Sequence, residues 1–283
     1  MAYKCLLGVI FIAIVSILYY MRFISLTFRN TIERIDKNLK VCILVISARS
    51  ERWDVEKQVW KAFMDKHSNI DCFFLECDDY EHQDETTIYS KCEESFRPGI
   101  LLKTMDALKK VENKYDFYIR SNLSTFFIFD RLYKDLSNIP TNKIIYGGQR
   151  RLNMFFDEKK CKEFGYFNKD GLKISYIGGT TIILNNKSNT FLLNHWRKYY
   201  KEFGMFSDDT FIGIVFDREN IPIYESKKNI RPLYIWNNTL SIQENLTEIN
   251  TKNISYIRKR EMKDKEAIYR RLLKHFYNID WNG

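Results

Sequence analysis

From residue 41 onward, compact apolar, β-branched runs alternate with amphipathic stretches of helical period. Residues 41–47 (VCILVIS), 70–77 (IDCFFLEC), 115–120 (YDFYIR) and 144–148 read as strands, too short and too β-branched for buried helices. Residues 54–66 place Val55, Val59 and Phe63 on one side of a helix, and residues 100–111 do the same with Leu101, Met105 and Leu108. Residues 127–136, 191–203 and 209–216 also read as helices, residues 80–95 as a polar loop, and residues 173–184 as strand material broken at Gly178-Gly179. This order predicts an α/β fold with a mixed, mainly parallel sheet flanked by helices. The 283 residues, 45% apolar, are ample for one large core, and only 11 Gly and 4 Pro exclude fibrous or low-complexity architectures.

Ahead of this pattern, residues 5–20 (CLLGVIFIAIVSILYY) carry no charge, and apolar character continues to Phe28. The segment reads as one N-terminal transmembrane helix. A cleaved signal peptide needs small residues before the cut, whereas Tyr19, Tyr20 and Met21 stand there. The expected organisation is a short tail and anchor at 1–28, a stem at 29–40, a catalytic-type α/β domain at 41–255 and a basic C-terminal helix at 256–283. Basic residues after the anchor (Arg22, Arg29, Arg34) favour a cytoplasmic domain by the positive-inside tendency.

The net charge is +9, and residues 258–275 hold eight Lys/Arg against three Asp/Glu, with Met262, Ile268, Leu272 and Phe276 at roughly helical spacing. The simpler reading is a terminal helix with a solvated basic face; the other is a helix for a membrane surface or acidic partner. No nucleic-acid-binding module accompanies the charge, so nucleic acid is not an expected partner. The six cysteines lack CxxC spacing, which argues against zinc; Cys72, Cys77, Cys92 and Cys161 suit disulfides in an oxidising lumen, with the pairing open.

In an α/β sheet, ligands bind beyond the carboxyl ends of the strands. Three loops qualify. The first carries Arg49 and Arg52, planar cations suited to an anion. The second runs Arg120-Ser121-Asn122-Leu123-Ser124, whose neutral oxygens suit a ribose or pyrophosphate better than a divalent ion. The third is residues 206–213 (FSDDTFIG), where Asp208 and Asp209 open a helix. One carboxylate is free to cap that helix and the other to act as a general base. Gly178 and Gly179 mark a bulge or a close approach, in keeping with an acceptor sugar.

Five segments, in order, resemble the β-1,3-glycosyltransferase family (galactosyltransferases, N-acetylglucosaminyltransferases and Fringe relatives). Arg52, Lys57 and Trp60 match its R-x4-R-x-x-W pattern, with Lys57 for the second Arg. Residues 94–104 (ESFRPGILLKT) resemble D-S-Y-x-N-L-T-L-K-T with one insertion, and residues 115–126 (YDFYIRSNLSTF) resemble the strand entering the D-D-D motif. Residues 176–184 (YIGGTTIIL) resemble Y-x-x-G-x-x-Y-x-x-S, and residues 207–213 (SDDTFIG) resemble the Fringe-like D-D-C-T-x-G. The resemblance implies a GT-A fold and a type II membrane enzyme of the Golgi or ER lumen. It also implies inverting transfer of a hexose or N-acetylhexosamine from a UDP-sugar to a glycan acceptor, with Asp209 as catalytic base. It departs at the metal motif: Asn122-Leu123-Ser124 replaces the aspartates that hold manganese in the family. Three outcomes follow: Arg or Lys neutralises the diphosphate, another carboxylate supplies the metal site, or the chain only binds.

Overall fold

The computed structural model describes residues 16, 21, 38–148, 151–225, 233–259 and 264–282. The expected anchor at 1–28 and most of the stem at 29–40 lie outside the described residues. Among the described residues no helix is long and apolar enough to cross a membrane. From Leu39 onward the described residues form one compact unit.

In chain order the unit comprises β1 (Val41–Ile46), α1 (Asp54–Phe63), β2 (Ile70–Asp78), β3 (His82–Gln83), β4 (Thr87–Lys91), α2 (Gly99–Lys110), β5 (Phe117–Asn122), β6 (Thr125–Phe127) and α3 (Phe129–Ser137). It continues with β7 (Tyr146–Gly148), β8 (Arg151–Phe156), α4 (Glu158–Glu163), β9 (Leu172–Ile177), β10 (Thr181–Asn185), α5 (Asn186–Phe203), α6 (Asp208–Arg218), β11 (Leu233–Ile235), α7 (Ile242–Thr251), β12 (Tyr256–Arg258) and α8 (Lys265–Tyr277).

The main sheet has seven strands in the order β3-β4-β2-β1-β5-β10-β7. Strands β4, β2, β1 and β5 run parallel, while β10 lies antiparallel to β5 and to β7. The period-2 geometry of β1 explains its unbroken apolar run. Val41, Ile43 and Val45 enter one core with Trp60, Phe63, Phe129 and Leu272; Cys42 and Leu44 enter the other with Leu101, Met105, Leu108 and Phe211. A strand buried on both faces has no polar positions to give away, which is why central strands were readable from sequence.

Three expectations are corrected. The polar stretch 80–95 carries β3 and β4, because the alternation of Thr87–Lys91 is too brief to stand out from its polar surroundings. The helix expected from 127 starts at Phe129, since Thr125–Phe127 pairs with β12, a partner far away in sequence. The C-terminal segment 256–283 is not a separate helix: β12 joins a three-stranded sheet, β11-β12-β6, and α8 buries Ile268, Tyr269, Leu272 and Leu273 in the first core. Lys265 of that helix forms a buried ion pair with Glu56 of α1. Of the four apolar positions expected there, Ile268 and Leu272 are buried and Met262 lies outside the described residues.

Candidate active site

Two adjoining chambers open beyond the carboxyl ends of β1 and β5, where a parallel sheet binds its ligands. The larger, about 390 Å³, is walled by Ser47 and Ala48 after β1, Trp53, Phe96, Lys103 and the turn Asn122-Leu123-Ser124. The smaller, about 230 Å³, is walled by Gly178-Gly179-Thr180, Tyr176 and the start of α6 with Asp208 and Asp209. Phe96, Ile100, Asn122 and Arg258 belong to both walls.

The two adjacent aspartates do different things. Asp208 turns inward and is buried, and its carboxylate takes a bidentate pair of bonds from Arg120: Nε at 2.6 Å and Nη2 at 2.8 Å. Burial pushes the Asp208 carboxyl above its ordinary value; the Arg120 guanidinium opposes that and the neighbouring Asp209 charge adds to it. The third arm of Arg120, Nη1, donates to the Asn122 Oδ1 at 2.8 Å and to the Gly179 carbonyl. One β5 side chain thereby ties together the second and third predicted loops and the glycine bulge.

Asp209 is half-buried and reaches the smaller chamber. Its Oδ2 accepts the Gly179 N–H at 2.7 Å, and its Oδ1 accepts the Ser207 hydroxyl at 2.6 Å and the Thr210 N–H at 2.8 Å. The carboxylate is therefore fixed in direction, as a proton acceptor must be. Neither aspartate is the helix cap: Ser207 occupies that position, and both carboxylates fall in the first turn, where the helix dipole favours negative charge. A Cβ on Gly179 would lie 2.5 Å from Arg120 Nη1 and 3.1 Å from Asp209 Oδ2, so the close approach requires glycine there. Gly213 plays the same part behind the site: a Cβ there would come within 2.3 Å of the Tyr176 Cβ, where α6 rests on β9.

Of the predicted site residues, the fold brings together Arg120, Asn122, Ser124, Gly178, Gly179, Asp208 and Asp209. Ser121 is buried just behind them, its hydroxyl donating to the Thr180 carbonyl at 2.7 Å. Arg49 and Arg52 do not join. Arg49 is exposed and ion-paired with Asp78 at the end of β2. Arg52 is exposed, stacks on Trp53 and lines a separate surface hollow with Asp264 and Arg270. A loop arginine free to turn either way finds the nearest carboxylate or ring, and spacing alone cannot choose for it. The other two residues of that segment act from behind the cleft. Lys57 pairs with the buried Glu76 at 2.6 Å, which accepts the Ser47 hydroxyl at 2.7 Å; Trp60 Nε1 donates to the Leu123 carbonyl at 3.0 Å.

The structure adds residues that sequence reasoning missed. Lys103 is fully buried at the wall of the larger chamber, donating to the Ser47 carbonyl at 2.7 Å and paired with Glu94. Burial pushes its ammonium below the ordinary lysine value while Glu94 opposes the shift. Phe96, 66% exposed, stands where the two chambers meet. Arg258 reaches the same junction from β12 and donates to the Thr180 hydroxyl. Nothing local marks it; in sequence it is one of several basic residues in a basic stretch.

The donor set at 122–124 does not fit manganese. Asn122 Oδ1 already accepts from a guanidinium, Leu123 is buried in the core, and Ser124 offers a neutral oxygen, whereas hard divalent cations want carboxylates. Among the described residues no cluster of His, Cys, Asp or Glu side chains is arranged to hold a metal ion.

Together the fold and cleft define an α/β protein with a two-chambered polar site at the carboxyl edge of a mostly parallel sheet. No protein-family model matches the chain, and no curated protein matches it. Among solved structures it is similar to mouse xyloside xylosyltransferase 1 in its apo form, at 7% identity and a TM-score of 0.39, over 78% of this chain and 97% of that one. It is similar also to the catalytic domain of Drosophila beta1,4galactosyltransferase 7 in complex with xylobiose, at 12% identity and a TM-score of 0.35, over 69% of this chain and 67% of that one.

Proposed function

We propose that the chain is a membrane-anchored inverting glycosyltransferase with a GT-A-like domain. It transfers a hexose or N-acetylhexosamine from a UDP-sugar to a glycan or glycoprotein acceptor, in a β-1,3 linkage. The observation that carries this reading is the placement of Asp209: an oriented carboxylate in a small chamber that shares a wall with a larger chamber at the sheet edge. The larger chamber takes the nucleotide, with Trp53 and the neutral turn at 122–124 on its wall. The smaller takes the acceptor sugar against Gly178-Gly179.

In the step that follows, an acceptor hydroxyl gives its proton to Asp209. Its oxygen bonds to the anomeric carbon from the face opposite the nucleotide. The bond between that carbon and the diphosphate oxygen breaks, leaving its electron pair on UDP. Inversion follows from this single displacement. No step is routed through a metal ion, because the residues at 122–124 suit none.

A luminal location, implied by the family resemblance, is supported by the Cys77–Cys92 disulfide, which belongs to oxidising compartments. Flanking charge at the anchor argues the other way. Residues 5–28 would serve as the anchor. The test is a screen of UDP-sugars with the full chain in detergent, with and without manganese, following both UDP release and transfer to saccharide acceptors. Turnover with one donor supports the proposal. Saccharide or UDP binding with no turnover under any condition would leave a binding module on the same fold, the reading favoured by the loss of the acidic motif.

A further inference from the structure

We propose that Arg258 supplies the positive charge at the donor diphosphate that a metal ion would otherwise supply. The inference rests on the glycosyltransferase reading above. The breaking bond must lie between the nucleotide and the acceptor, so a charge that stabilises the departing diphosphate belongs where the two chambers meet. Among the described residues, Arg258 is the one charged side chain lining both. Arg120 lines the smaller chamber alone and Lys103 the larger alone.

The topology puts this guanidinium beside the turn that lacks its carboxylates. Strand β12 pairs antiparallel with β6, and Arg258 is in register with Thr125, one residue past Asn122-Leu123-Ser124. The next residue fastens the same place, as the Lys259 N–H donates to the Ser124 carbonyl at 3.3 Å. A strand from the C-terminal region therefore delivers a cation beside the turn that stands in place of the acidic motif of the family the chain resembles. The Thr180 hydroxyl, on the loop that also carries Gly179, accepts from Arg258 Nη1 and fixes its direction. A planar guanidinium suits two oxygens of a diphosphate at once, and a fixed donor aimed at the developing charge is what stabilises a leaving group.

The test is titration calorimetry of the full chain in detergent with UDP and, separately, with uridine, in EDTA and then with manganese. The variants are Arg258→Met and Arg258→Lys, with thermal unfolding recorded for each. The wild type should bind UDP equally well in EDTA and manganese. Arg258→Met should lose about 10- to 100-fold in UDP affinity while binding uridine as before, and Arg258→Lys should fall between the two. Dependence of wild-type UDP binding on manganese would overturn the inference and leave the glycosyltransferase reading standing. So would unchanged UDP affinity in Arg258→Met, or an equal loss for UDP and uridine. Absence of both UDP and uridine binding in the wild type would overturn the nucleotide reading itself, and the inference with it.

Discussion

Arg120 and Asp208 face each other across 88 residues of sequence in a buried bidentate pair, with donor–acceptor distances of 2.6 and 2.8 Å. The pair joins β5 to the first turn of α6, and so fixes the floor on which Asp209 stands. Replacing Asp208 with Asn leaves the Arg120 charge buried with half its partner gone, at an expected cost of about 3–5 kcal/mol. Urea unfolding of both proteins measures it. A loss below about 1 kcal/mol, the level of an exposed pair, would mean that the guanidinium finds water or another acceptor.

Gly179 admits no side chain without moving Arg120 or Asp209. Gly179→Ala is therefore expected to leave the fold intact but to lower kcat by about 10- to 100-fold, the scale of a misplacement near 1 Å. Steady-state kinetics with the best donor, beside a circular dichroism melt, separates this from simple unfolding. Unchanged kcat would remove the glycine from the positioning of Asp209.

The Cys77–Cys92 bridge closes a segment of 15 residues and sits beside the loop that carries Glu94 and Phe96. The Cys77 N–H donates to Glu94, the residue paired with Lys103, so the bridge and the chamber wall share one anchor. The double variant Cys77→Ser with Cys92→Ser is expected to lose about 3 kcal/mol of stability, from a loop of that length, and to bind UDP more weakly. Calorimetry and urea unfolding check the two halves. Full UDP affinity in the double variant would show that the wall stands without the bridge.

Much of the frame was legible because central strands buried on both faces must be apolar throughout, as residues 41–46 are. Two of the three site loops were legible for the same reason, since placing β1 and β5 places their carboxyl ends; the third follows helix α5 rather than a strand, and only its paired aspartates marked it. Asp208 and Asp209 were visible as a pair, yet their division of labour was not, because it depends on Arg120, a strand residue whose partner lies on a distant helix. Arg49 and Arg52 show the opposite limit. A flexible cation is claimed by whatever carboxylate or ring the fold sets nearby, here Asp78 and Trp53. Arg258 was hidden by its own neighbourhood, since only the β12–β6 pairing lifts it out of a basic stretch.

Asp84 provides the pH dependence. Desolvation raises its carboxyl, but the N–H groups of Thr86 and Thr87, each at 2.7 Å, and then the Tyr89 hydroxyl outweigh it and hold the group below its ordinary value. A carboxylate depressed in the folded state stabilises above its unfolded value, about pH 4, and that contribution fades as pH falls through the folded value. The residue is solvent-exposed, so the advantage of wild type over Asp84→Asn is expected to be at most about 1 kcal/mol at neutral pH. Urea midpoints should draw together as the pH falls below about 4. A gap that widens on acidification would reverse the assigned sign.

The role of Asp209 as proton acceptor is tested most directly by turnover of the accepted UDP-sugar by Asp209→Asn, measured alongside its UDP affinity. Transfer is expected to fall by about 100-fold or more, the scale of a lost general base, with UDP bound as tightly as by the wild type. Undiminished transfer by Asp209→Asn would rule out that role.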